Sequence, residues 1–133
     1  MEIYSPLSNI PGVKFFGLQK GAEGKQAVPE GLDLINFGDE LKDMGNTAGL
    51  VANLDLVISI DTSIVHLAGA MGKVVWVLLP FAGDFRWLCD REDSPWYPTM
   101  RLFRQGKREE WTEVVGRIAR ELKSKSAILG AAL

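Results

Sequence analysis

Asp61, Thr62, Ser63 and His66 are the residues of this 133-residue chain whose types and spacing could most readily do chemistry. Three oxygen-bearing side chains in a row follow the apolar run Leu56, Val57, Ile58 and Ile60, and the single histidine comes four residues after Thr62. The run suits a strand buried on both faces of a parallel sheet. Asp-Thr-Ser suits the N-cap of a helix, where unpaired backbone N–H groups and the positive end of the dipole favour an anion. His66 then lies on the same side of the first helical turn as Thr62. Two readings stay open: helix caps beside a satisfied core histidine, or the wall of an anion pocket.

The flanking chain reads as the frame that positions this corner. Met1 to Gly12, with Pro6 and Pro11, reads as a loop or the end of a helix, and Pro11-Gly12 as a turn into a strand at Val13 to Leu18. Gln19 to Glu30 reads as a loop with a short helix near Glu23 to Ala27. A second strand is expected at Leu32 to Asn36, then an acidic loop over Phe37 to Gly45 and a helix capped by Asn46 or Thr47 that runs to Asn53. After the strand Asp55 to Ile60 and its helix, Gly72 is the natural C′ residue, and Val74 to Leu79 forms a fourth strand. Pro80 to Pro98 is a long aromatic and charged connection with a short helix at Asp84 to Cys89, and Met100 to Phe103 a short fifth strand. From Arg108 the chain is helical, with Trp111, Val114, Val115, Ile118 and Leu122 on one face and a frayed tail at Ser124 to Leu133.

Alternating strands and helices predict an α/β fold with a parallel sheet and right-handed crossovers, built as a single domain. In such sheets ligands sit beyond the carboxyl ends of the strands. That rule gathers Lys20-Gly21, Phe37 to Asp43, Asp61 to His66 and Phe81 to Trp87 along one rim. Lys20 could meet a phosphate or be a solvated lysine. Asp84, Arg86 and Trp87 could line a cleft or form a salt bridge and an aromatic plug. Trp96 and Tyr97, between Pro95 and Pro98, read as packing.

The charge balance, 17 acidic against 15 basic residues, leaves no basic stripe for nucleic acid. Cys89 is alone, so neither a disulfide framework nor a metal-ligand spacing exists; a buried thiol in a reducing cytoplasm is expected. The first twelve residues lack the apolar core of a signal peptide, and no run approaches a membrane span. No Gly-x-Gly-x-x-Gly, Gly-Lys-Ser/Thr or Gly-x-Ser-x-Gly motif is present.

The stretch DLVISIDTSIVHLAGAMGK, followed by VVWVLLPFAGDFRWLCDREDSPWYPTMRLFRQ, resembles the C-terminal half of glycosyltransferase family 9, the heptosyltransferase-like proteins often fused to tetratricopeptide repeats. The similarity runs from about Pro6 to Leu122. It implies the donor half of a GT-B fold, Rossmann-like with helices on both faces of the sheet. By that resemblance Thr62, Ser63 and His66 would hold the diphosphate of a nucleotide-sugar donor, and Asp61 would face the sugar or fix the turn. Lys20, Gly21, Phe37 and Gly38 would border the nucleoside, and Asp84 and Arg86 would close the cleft near the sugar. The implied chemistry is metal-independent inversion, without a cofactor, with a UDP-sugar favoured over an ADP-sugar. The chain departs from the family in two ways. The acceptor domain and its general base are absent, so no catalytic residue is assigned. The first, central strand of the donor domain is also missing, so that either the strands at Val13 to Leu18 and Asp55 to Ile60 pair directly or a partner segment fills the gap.

Three other readings compete. A non-catalytic nucleotide-binding module would keep the pocket without the chemistry. A receiver-like domain would use the run DLVISID, but Gly17-Leu18-Gln19-Lys20 stands where its acidic pair belongs. A scaffold, including a homo-oligomer joined through an open strand edge, needs no pocket at all.

Overall fold

The structure, a computed structural model, describes residues 2–81, 92–94, 97–107 and 110–129. The chain is α/β, every strand-to-strand ladder among the described residues is parallel, and the pattern is compatible with a Rossmann-like fold. It forms two compact units. One takes the chain up to Thr47 together with the stretch from Val115 on; the other is Ala48–Val114.

In the first unit, β1 (Phe15–Gly17) pairs in parallel with β2 (Leu34–Asn36), Phe15 opposite Leu34 and Gly17 opposite Asn36. Both strands are shorter than the apolar runs suggest. Before β2 the Leu32 N–H donates to the Pro29 carbonyl in a turn, with Gly31 at φ 78°, and this turn consumes the first expected strand residues. Residues Glu2–Leu7 form a 3-10 helix with Pro6 inside it. The short helix α1 begins at the left-handed Gly21 and spans Gly21–Gly24, earlier than expected.

Helix α2 (Met44–Ala52) also begins before the expected cap. The carboxylate of Asp43 accepts the Asn46 N–H at 2.7 Å, while the Asn46 side chain accepts the Lys42 N–H at 3.3 Å. Asp43 therefore does the capping, and Asn46 and Thr47 lie inside the helix. The boundary between the units falls within α2, and again within α4 (Trp111–Leu129), whose Val114, Val115, Ile118, Ala119 and Leu122 are buried as its apolar spacing predicts.

The second unit holds a three-stranded sheet in the order β3 (Val57–Ile60), β4 (Val75–Leu79), β5 (Met100–Arg104). Helix α3 (Ser63–Ala70) carries the chain from β3 to β4. All five residues of the central β4 are buried, and each such aliphatic side chain contributes about 2 kcal/mol through removal from water. The edge strand β3 is different: Val57 is buried, but Ile58 and Ser59 are only partly so and Ile60 is 48% exposed. The expectation of a strand buried on both faces is thus corrected, because β3 ends its sheet while β4 is flanked on both sides. β1 and β3 belong to separate sheets among the described residues.

Helix α3 ends as its sequence predicts. Gly72 adopts φ 72°, its N–H donates to the Gly69 carbonyl, and the Lys73 N–H donates to the Ala68 carbonyl, a Schellman arrangement. The chain before β5 folds back on that strand: the Leu102 N–H donates to the Glu92 carbonyl, and Asp93 forms an antiparallel bridge with Arg101. No helix among the described residues is long and apolar enough to cross a membrane.

Candidate functional site

The corner after β3 is built as the apolar run and small-residue helix require, but its polar side chains are used differently from the expectation. Thr62 is the N-cap residue of α3, with extended backbone at φ −135° and ψ 175°, yet its side chain makes no cap hydrogen bond. Its Oγ1 lies 3.4 Å from Ser59 Oγ, which in turn donates to the Ile60 carbonyl at 3.0 Å. The Asp61 carboxylate is turned to His66, with Oδ1 3.3 Å from Nε2. The reading of Thr62 as a side-chain cap is therefore corrected: Thr62 turns back to Ser59, while Asp61 reaches forward to His66 and Ser63 is the first residue of the helix. The Thr62 side chain caps none of the first-turn N–H groups of α3, while its carbonyl accepts the Val65 N–H.

His66 and Asp61 are mostly shielded, with side chains 29% and 21% exposed. A third group joins them. The Tyr97 hydroxyl lies 3.4 Å from His66 Nδ1, and the two rings are tilted at 58° with centroids 5.9 Å apart. Tyr97 reads in the sequence as packing; the structure places its hydroxyl on the histidine. Its backbone N–H donates to Oγ of the buried Ser94, and its carbonyl accepts the Met100 N–H, so the turn into β5 fixes it. The sequence signal was Tyr97 between two prolines just before a strand, which marks a rigid turn but not its target.

Gln105, just beyond β5, is a further residue that spacing does not reveal. It is 6% exposed, accepts the Phe81 N–H at 3.0 Å through Oε1, and donates its own N–H to the Leu79 carbonyl. Its Nε2 is a buried donor with no hydrogen-bond partner among the described residues. A buried amide left this way at the carboxyl ends of parallel strands is where a ligand acceptor or an ordered water belongs.

The nucleoside-rim residues fall in the other compact unit, where the parallel pairing of β1 and β2 brings them together. The Phe37 N–H donates to the Gly17 carbonyl, the Gly38 N–H donates to Asn36 Oδ1 at 2.8 Å, and the Phe37 ring lies 5.9 Å from that of Phe16. Gly38 is packed so closely on the backbone after β1 that a Cβ there would overlap the Gln19 carbonyl oxygen. Lys20 and Gly21 are exposed. Within this unit a cleft of about 260 Å³ opens at the other end of the strands, lined by Leu7, Ile10, Phe15 and Asp33 among others. That is the amino end of β1 and β2, not the end at which such sheets hold ligands. Asp84, Arg86, Trp87 and Cys89 lie outside the described residues.

Among known proteins, FlbA of Caulobacter vibrioides is similar to this chain, 32% identical over 139 residues. The match covers 95% of this chain and 22% of FlbA, so the chain spans about a fifth of that relative's length. No protein-family model matches the chain, and no solved structure matches it.

Proposed function

We propose that this chain binds the diphosphate of a nucleotide-sugar and is the donor-binding part of an inverting, metal-independent glycosyltransferase, inactive without an acceptor domain. The observation that carries the reading is the N-terminus of α3 at the carboxyl end of β3, where the Thr62 side chain makes no cap hydrogen bond, with His66 one turn along the helix. Donor N–H groups and a helix dipole there suit an anionic leaving group, whose growing charge they would stabilise. The unpartnered Nε2 of Gln105 supports the same rim. The sugar and the uridine base rest on the family resemblance of the Asp-Thr-Ser-x-x-His segment. A cytoplasmic setting is part of this proposal, since a lone Cys89 fits a reducing compartment.

Asp61 sets a condition on the reading. Its carboxylate sits at the same helix end as the incoming phosphates, and like charges there repel. His66, held against it, offsets that charge only when the imidazole is protonated. The test is calorimetric titration with uridine, guanosine and adenosine diphosphates and their sugar conjugates. Binding of UDP and a UDP-sugar is expected, and silence from every nucleotide at millimolar concentration overturns the proposal. Sugar transfer after an acceptor domain is supplied separates an enzyme part from a non-catalytic binding module.

A second reading, a homo-oligomeric module, is favoured by β3, an end strand with Ile60 48% exposed. Sedimentation showing only monomer across a wide concentration range would exclude it.

A further inference from the structure

The Asp61, His66 and Tyr97 cluster joins three parts of the second unit: the end of β3, the first turn of α3, and the turn before β5. When the imidazole is neutral, its hydrogen-bonding capacities permit one consistent arrangement. An ionised carboxylate only accepts, so the nitrogen facing Asp61 must carry the proton; a neutral imidazole then presents a lone pair on its other nitrogen. Nε2 faces Asp61 Oδ1 at 3.3 Å and Nδ1 faces the Tyr97 hydroxyl at 3.4 Å. Tyr97 O–H therefore donates to Nδ1 while Nε2–H donates to Asp61. Both contacts are at the long end for hydrogen bonds, so each partner holds the ring weakly and the two act together.

The position of Tyr97 is itself built in. A Cβ at Gly69 would stand 2.5 Å from the Met100 methyl and 2.9 Å from both Cγ and Cδ1 of the tyrosine ring. Real Cβ atoms do not approach that closely, so the ring lies on α3 only because residue 69 has no side chain. Gly69 is one helical turn from His66, which sets the phenol over the helix with its hydroxyl at the imidazole.

We infer that Tyr97 is a positioning residue of this site, seated on α3 by Gly69, and that with Asp61 it holds His66 in the Nε2–H tautomer. Whichever ligand the corner takes, it then meets an imidazole of fixed plane and fixed proton. The inference concerns the unliganded chain and stands or falls apart from the nucleotide-sugar reading.

His66 is the only histidine, so its ring nitrogens give the only imidazole signals in a ¹⁵N NMR spectrum of the whole chain. At alkaline pH, with the ring neutral, Nε2 is expected at a protonated shift and Nδ1 at the shift of a hydrogen-bonded, unprotonated nitrogen. In Tyr97→Phe, which keeps the ring on Gly69 but removes the hydroxyl, Nδ1 moves downfield to the position of an unbonded pyridine-type nitrogen. Gly69→Ala, which leaves all three polar groups chemically intact but unseats the ring, produces the same displacement. Tyr97→Phe is a conservative change to a partly buried ring, and an unchanged amide spectrum away from the site verifies its fold. A proton found on Nδ1 in the parent protein overturns the inference, and so does an Nδ1 shift that Tyr97→Phe leaves in place.

Discussion

The ring of Tyr97 lies against Gly69, with two ring atoms 2.9 Å from the place of its missing Cβ, and together with the Met100 methyl at 2.5 Å it fills the space a side chain there would need. A glycine in the interior of a helix is ordinarily a weakness, costing about 1 kcal/mol relative to alanine. Here it is the condition for a tyrosine from a distant turn to reach His66 on the same helix.

Gly69→Ala is therefore expected to destabilise the chain, by about 1–3 kcal/mol of overpacking, despite its better helix propensity. Gly49→Ala in α2 provides the control, because nothing lies within 4 Å of a Cβ there. That change should stabilise by up to about 1 kcal/mol. Urea unfolding of the two variants should show opposite signs, and stabilisation by Gly69→Ala would contradict the packing described.

Gly38→Ala should be costly for a different reason. The atom in its way is the Gln19 carbonyl oxygen, and backbone cannot swing aside as a flexible side chain can. The loops after β1 and β2 must separate, which strains the Gly38 N–H bond to Asn36. A loss of about 1–3 kcal/mol is expected, read as a lower urea midpoint with little change in slope.

Much of the frame was legible in the sequence because it rests on apolar periodicity and on glycine. The burial of Val75 to Leu79, the face of α4 and the role of Gly72 all follow from local pattern. What was not legible depends on chain far away in sequence. The apolar run at Leu56 to Ile60 cannot say whether its strand is central or terminal, and β3 proves to be the end strand with Ile60 exposed. Thr62 has the composition of a cap, yet it turns to Ser59, a choice made by a neighbour rather than by propensity. Tyr97 is 31 residues from its histidine, a pairing no spacing rule could supply. Gln105 looks like an ordinary polar residue until β5 buries it.

Asp43→Ala should shorten α2 from its N-terminus. The carboxylate accepts the Asn46 N–H at 2.7 Å and also favours the positive end of the helix dipole. A loss of about 1 kcal/mol is expected, while Asp43→Asn, which keeps the acceptor, should lose less. Equal losses from the two substitutions would mean that charge, not the cap bond, is the main contribution.

Tyr4 gives the chain a dependence on alkaline pH. Burial raises its phenol above the ordinary value of 10.0, because the folded protein disfavours the phenolate. Below pH 10 the phenol is neutral in both states, and its contribution to stability is fully present. As pH rises past the unfolded value, the unfolded chain releases a proton that the folded one retains, and stability falls until the folded phenol also ionises. Tyr4→Phe should remove that part of the decline, seen as a flatter plot of unfolding free energy against pH above 10. A parallel plot for parent and variant would show that Tyr4 does not contribute.

For ligand binding, the decisive comparison is among single substitutions probed with UDP alone. His66→Ala leaves the Asp61 carboxylate without its imidazole at the end of α3 where the phosphates are proposed to sit. With that contact gone the carboxylate should repel the diphosphate more strongly, and an affinity loss of about tenfold corresponds to about 1.4 kcal/mol. Thr62→Ala should weaken binding less severely, because Oγ1 is engaged with Ser59 and must leave it to donate to a phosphate oxygen. Lys25, an exposed cation in the other compact unit, supplies the reference: Lys25→Ala should change affinity by less than either. Equal losses from all three would mean that UDP responds to overall charge, and the corner at Thr62 and His66 would lose its claim to the diphosphate.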